Sequence, residues 1–125
     1  MKIKIFQFQV IDSETEMNLN KVKSMFRDND LTSTDVVVLP EMWTSGYDLE
    51  NIQDYAADKL EPVKSFIAKL AADNNVTVVA GSIPNTYGDN GVCNTAFTVD
   101  NNGKLIYEYS KMHLVPMLNE PEFLK

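Results

Sequence analysis

Apolar and polar residues alternate from Lys2 to Val10, with Ile3 and Ile5 in one phase and Phe6, Phe8 and Val10 in the other, which predicts an opening strand. Ser13 and Glu16 stand at capping-box spacing ahead of Leu19, Val22 and Phe26 at helical intervals, predicting a helix over about residues 14–27. Asp35 to Pro40 is a β-branched run, too short for a helix and apolar on both faces, as in a central strand buried on both sides. Glu41 to Gln53 has no clear period and reads as a loop or short irregular helix. Pro62 suits a first helical turn, and Val63, Phe66, Ile67, Leu70 and Ala71 then form the apolar stripe of an amphipathic helix. Val76 to Ser82 is a further short strand, so the order β-α-β-α-β calls for a parallel or mixed sheet with right-handed crossovers. The second half changes style. Tyr87 to Gly91 is a turn cluster, Val92 to Val99 a strand, Asn101-Asn102-Gly103 a hairpin turn and Leu105 to Ser110 a last strand, together an antiparallel meander. Lys111 to Lys125, with Pro116 and Pro121, has no sustained period. The expected fold class is therefore α/β: a mixed sheet with two helices and an appended meander.

Composition narrows the class of partner. The 125 residues allow one domain at most, and 18 acidic against 11 basic side chains give a net charge of -7, which repels phosphate backbones and anionic lipid. Neither nucleic acid nor a membrane is an expected partner. No apolar run approaches the roughly 18 residues of a membrane span. Cys93 is the single cysteine, so no internal disulfide can form, and Met1 to Phe6 lacks the features of a signal peptide. A cytoplasmic protein is expected.

Glu41 follows directly on the apolar strand ending Leu39-Pro40, and the carboxyl ends of strands are where ligands collect in open α/β sheets. By position it is either a general base or a solvated loop carboxylate. Lys111 occupies the matching place after the last strand, where it could serve an anionic intermediate or simply reach water. Trp43 and Tyr47, close behind Glu41, are candidates to line a pocket. His113 is the only histidine, so a multi-histidine metal site is impossible, and neither a metal nor a cofactor is expected. Cys93, inside a strand, reads as a small structural residue instead of a nucleophile.

Four stretches in order, Val38-Leu39-Pro40-Glu41-Met42-Trp43, Ala80-Gly81-Ser82, Asn94-Thr95-Ala96-Phe97 and Tyr109-Ser110-Lys111-Met112-His113-Leu114, resemble the opening part of the nitrilase superfamily of carbon-nitrogen hydrolases. The closest branch looks like the bacterial omega-amidase-like hydrolases, whose substrates are small amides of dicarboxylic acids and their keto analogues. The resemblance implies the first part of an αββα sandwich and a Glu-Lys-Cys triad. Glu41 matches the glutamate that accepts the thiol proton, Lys111 the lysine that steadies the oxyanion, and Glu120, in Leu118-Asn119-Glu120-Pro121, the second glutamate that orients lysine and substrate. The family nucleophile follows the lysine by a few dozen residues on a strand-to-helix elbow, so residues 1–125 are expected to form a partial domain ending before it. Apolar sheet surface should then stand uncovered or pair with another chain, giving poor solubility or a homo-oligomer. The alternative expectation is a non-catalytic remnant or interaction protein that keeps the fold; a third is a small-ligand binder.

Overall fold

A computed structural model describes residues 1–88 and 90–125. Its sheet is built from β1 (Ile3–Ile5), β2 (Val36–Val38), β3 (Ala57–Asp58), β4 (Thr77–Thr86), β5 (Val92–Val99) and β6 (Leu105–Ser110). The strand order is β1-β2-β4-β5-β6, with β3 paired to the far end of β4. β1, β2 and β4 run parallel, and β4, β5 and β6 run antiparallel. The sheet is mixed, with the meander where the turn signals put it; of the turn cluster between β4 and β5, Asp89 lies outside the described residues.

The two long helices, α1 (Thr15–Asp28) and α3 (Val63–Asn74), lie at the expected places. Val22, Phe26, Ile67 and Ala71 from these helices share one core with Val37, Val78, Phe97 and Val99 of the strands. Two four-residue helices, α2 (Ile52–Tyr55) and α4 (Glu120–Phe123), organise segments whose patterns showed no period. They help to build a second, smaller core of Met42, Leu49, Ile52, Val92 and Leu124, which ties the loop after β2 to the last residues of the chain. Among the described residues, no helix is long and apolar enough to cross a membrane.

Three local expectations are corrected. The alternation of Lys2 to Val10 continues in burial, with Phe6 edge-on to Phe26 at 5.2 Å, but β1 ends at Ile5. Its partner β2 is only three residues long and runs into Pro40, so the Phe6 N–H to Val38 is followed by no further ladder. The capping box is absent: Ser13 has φ +64 and its hydroxyl donates to Asp48. Asn18 holds the region instead, its Nδ2 donating to the carbonyls of Ile11 and Thr44 at 2.8 and 3.0 Å. β4 runs on to Thr86, because Ser82 to Thr86 find partners in Ala96 to Val92 of β5.

The helices cover one face of the sheet and leave the other bare. In-register neighbours lie on one face, so Ile5, Val38, Val79, Thr98 and Tyr107 form a row across five strands. Ile5, Val79 and Tyr107 in that row are 73, 37 and 56 % exposed, whereas Val37, Val78 and Val99 in the adjoining row are fully buried under the helices.

Candidate active site

Glu41 is positioned by the strand next to its own. Leu39 N–H donates to Val79, Met42 N–H to the Ser82 hydroxyl at 3.0 Å, and Ser82 N–H to Pro40 at 3.2 Å. Trp43 closes the loop by donating its indole Nε1–H to the Ala80 carbonyl at 2.8 Å. These bonds need β4 almost against the Pro40 backbone, and the ladder with β5 is irregular there, between Val79 and Ser82. Gly81 permits the approach. It has φ +59, and a Cβ on it would lie 1.8 Å from the Pro40 carbonyl oxygen.

Lys111 leaves the sheet just after β6, where its backbone N–H donates to the Asn94 carbonyl at 2.8 Å. Its ammonium lies 3.3 Å from Glu41 Oε1 and 3.3 Å from the Glu120 carboxylate. Glu120 is fully buried on α4, and its Oε2 also accepts the Val115 N–H at 2.7 Å. The burial of this carboxylate is thus compensated by a cation and a backbone donor. Two of the three ammonium donors face carboxylates, which leaves one for another acceptor.

Partial burial works to raise the Glu41 pKa, but hydrogen bonds from Tyr47, Asn94 and Lys111 outweigh it and hold the carboxyl below the usual range. Burial likewise works against the Lys111 ammonium, and its bonds to Glu120 and Glu41 prevail, raising its pKa. The Tyr47 phenol is pushed up by burial and then by Glu41, so it stays protonated as a donor. Glu41 and Lys111 line one open cleft of about 330 Å³ with Gly81, Ser82, Asn94 and Tyr109.

The structure therefore brings Glu41, Lys111 and Glu120 together; Tyr47 meets Glu41 but does not line the cleft, facing instead a separate groove with Asp12, Ser13 and Asn119. Trp43 does not line the cleft. It is fully buried in the main core, a correction whose cause is the Ala80 carbonyl that its indole satisfies. Cys93 alternates with Asn94 along β5, does not line the cleft and is partly buried. Among the described residues, no group of three or more His, Cys, Asp or Glu side chains is arranged to hold a metal ion. In the sequence, Asn94, Gly81 and Ser82 stand only within the short motifs of the family resemblance, which by themselves name no role for them.

The chain belongs to the carbon-nitrogen hydrolase family, which it matches over residues 2–125. It is 45 % identical over 124 residues to a Staphylococcus aureus protein named hydrolase in agr operon, covering 99 % of this chain and 47 % of that one. It is 34 % identical over 122 residues to the 2-oxoglutaramate amidase of Bacillus subtilis, covering 98 % of this chain and 46 % of the relative. A solved CN-hydrolase superfamily protein of Xanthomonas campestris superposes with a TM-score of 0.87 at 26 % identity, over 98 % of this chain and 44 % of its own. The chain spans about half the length of the curated relatives it matches.

Proposed function

We propose that residues 1–125 are the opening part of an amidase domain that hydrolyses a small non-peptide amide by a Glu-Lys-Cys triad whose cysteine lies beyond Lys125. The observation that carries this reading is Lys111 bridging Glu41 and Glu120 at 3.3 Å beside an open cleft. Glu41 takes the proton of the thiol, and the thiolate attacks the amide carbon. The electron pair of the carbonyl moves onto oxygen, where the free donor of Lys111 meets it. Collapse breaks the C–N bond and the proton held on Glu41 leaves with ammonia; water then attacks the thioester with Glu41 again as base, the C–S bond breaks to release the acid, and the thiolate takes back the proton that Glu41 drew from water. Tyr47, whose hydroxyl donates to Glu41 from outside the cleft lining, is assigned to holding that carboxylate ionised. The 2-oxoglutaramate amidase relative supports a substrate of the dicarboxylic monoamide or keto-acid amide class.

Base and lysine without a nucleophile leave no acyl-enzyme route, so ammonia release from small amides by the 125-residue chain should stay at background. A coupled ammonia assay checks this. Turnover that disappears in Cys93→Ser would overturn both the missing-nucleophile reading and the structural role of Cys93.

The bare sheet face favours a second reading, in which this segment acts by association and not by catalysis. Both readings expect the face to be covered. The isolated chain should therefore associate in sedimentation-velocity runs at micromolar concentration, and charged substitutions at Ile5 and Tyr107 should shift it toward monomer. A monodisperse monomer with the native face would count against a role for that surface.

A further inference from the structure

Asn94 borders the cleft from β5, is 3 % exposed, and touches both members of the ion pair by different chemistry. Its side-chain Nδ2 donates to Glu41 Oε1 at 2.8 Å, while its backbone carbonyl accepts the Lys111 N–H at 2.8 Å. Lys111 Nζ reaches the same Oε1, so these two donors meet on one oxygen, and the Tyr47 hydroxyl is a third donor to the carboxylate. The amide Oδ1 of Asn94 is buried without a hydrogen-bond partner among the described residues. A buried acceptor left unpaired is unfavourable, and the same-face neighbours Ala96 and Thr98 show that smaller side chains fit this strand. Packing alone gives no reason for an amide here. A fixed donor aimed at Glu41 does.

We infer that Asn94 is a positioning residue for hydrolysis: it clamps Glu41 through Oε1 and sets where the Lys111 side chain begins, so that the Glu41 carboxylate faces the proton it accepts. The inference rests on Glu41 acting as the base. Without the clamp, the partly exposed Glu41 side chain samples rotamers that point away from the cleft, which lowers turnover more than binding. Removing a donor that favours the ionised carboxylate also raises the pH at which it protonates.

Two measurements test this. Carbon-13 NMR of the 125-residue chain follows the Glu41 carboxyl through acid titration in the native sequence, Asn94→Ala and the isosteric Asn94→Asp. Both variants should titrate at higher pH, Asp more so because a second carboxylate replaces the donor; one midpoint shared by all three would overturn the proposal. If Asn94→Ala does not fold, Asn94→Asp decides, since it keeps the side chain's shape. In a chimera joining residues 1–125 to the remaining segment of the Staphylococcus aureus relative, Asn94→Ala should lower kcat about 10- to 100-fold with KM little changed. The acid limb of its pH profile should move upward. Should Glu41→Gln be inactive there while both Asn94 variants keep native kcat and acid limb, the positioning role fails alone. An active Glu41→Gln would instead remove the base role beneath it.

Discussion

Glu41→Gln in the chimera should lower kcat/KM for a small amide by about 10²- to 10⁴-fold, the usual contribution of a positioned proton acceptor, while leaving the unfolding midpoint almost unchanged. The substitution keeps shape and an oxygen for the Asn94 and Lys111 donors, but the amide cannot take a proton. Lys111→Ala should lose about 3 kcal/mol of transition-state stabilisation and behave differently in unfolding. It strips the cation from Glu120, which is fully buried and keeps only the Val115 N–H, and breaking a buried ion pair from one side destabilises by roughly 3–5 kcal/mol. Adding Glu120→Gln to Lys111→Ala should recover much of that stability and none of the activity. Urea unfolding and steady-state kinetics on the three variants and the native sequence separate the two effects. Native activity in either single mutant would remove the role assigned to that residue.

Under the proposed mechanism, the charge arrangement sets what any segment closing the cleft would do. Glu41 is held below the usual carboxylate range, whereas a free thiol ionises near ~8.5, so proton transfer from cysteine to Glu41 is uphill in the open cleft. Two changes close the gap. Covering the cleft removes water from the Glu41 carboxylate and raises its pKa, and the neighbouring Lys111 ammonium lowers that of a thiol brought beside it. On that mechanism Glu41, half solvated in this chain, is suited to act as the proposed base only once the bare face is closed.

Much of this was legible in the residues themselves, and the misses share a cause. The stripe of α3 and the strands β5 and β6 are set by local periodicity and turn residues, and the structure reproduces them where they were expected. β1 was overextended because alternation reports which way side chains point, not whether a partner strand lies alongside. Ser13 does not cap α1 because Asp48, 35 residues away, takes its hydroxyl. At the site, Glu41 and Lys111 stood out because each follows directly on a strand. Trp43 turns into the core because the acceptor for its indole lies 37 residues on, and the role of Asn94 is hidden because the carboxylate it holds lies 53 residues back. Pairings of that separation leave no mark on a local pattern.

Gly81→Ala should cost about 3 kcal/mol of stability and, in the chimera, most of the activity as well. A Cβ in the left-handed region costs roughly 1–2 kcal/mol, and forcing a methyl group into packed surroundings costs about 1–3 more. The obstacle at Gly81 is backbone: the added carbon would sit 1.8 Å from the Pro40 carbonyl oxygen and 2.7 Å from that of Leu39. Relief requires β4 to retreat from the strand end that carries Glu41. That movement strains the Ser82 bonds to Pro40 and Met42 and the Trp43 bond to Ala80. The carboxylate would then leave the 3.3 Å approach to Lys111, so the loss of rate should exceed what the fraction of unfolded protein explains. Gly88→Ala is the control, since Gly88 also has positive φ but an added Cβ there meets nothing within 4 Å. It should show only the smaller conformational penalty and near-native turnover. Equal effects at the two glycines would mean that the close approach of β4 to Pro40 does not position Glu41.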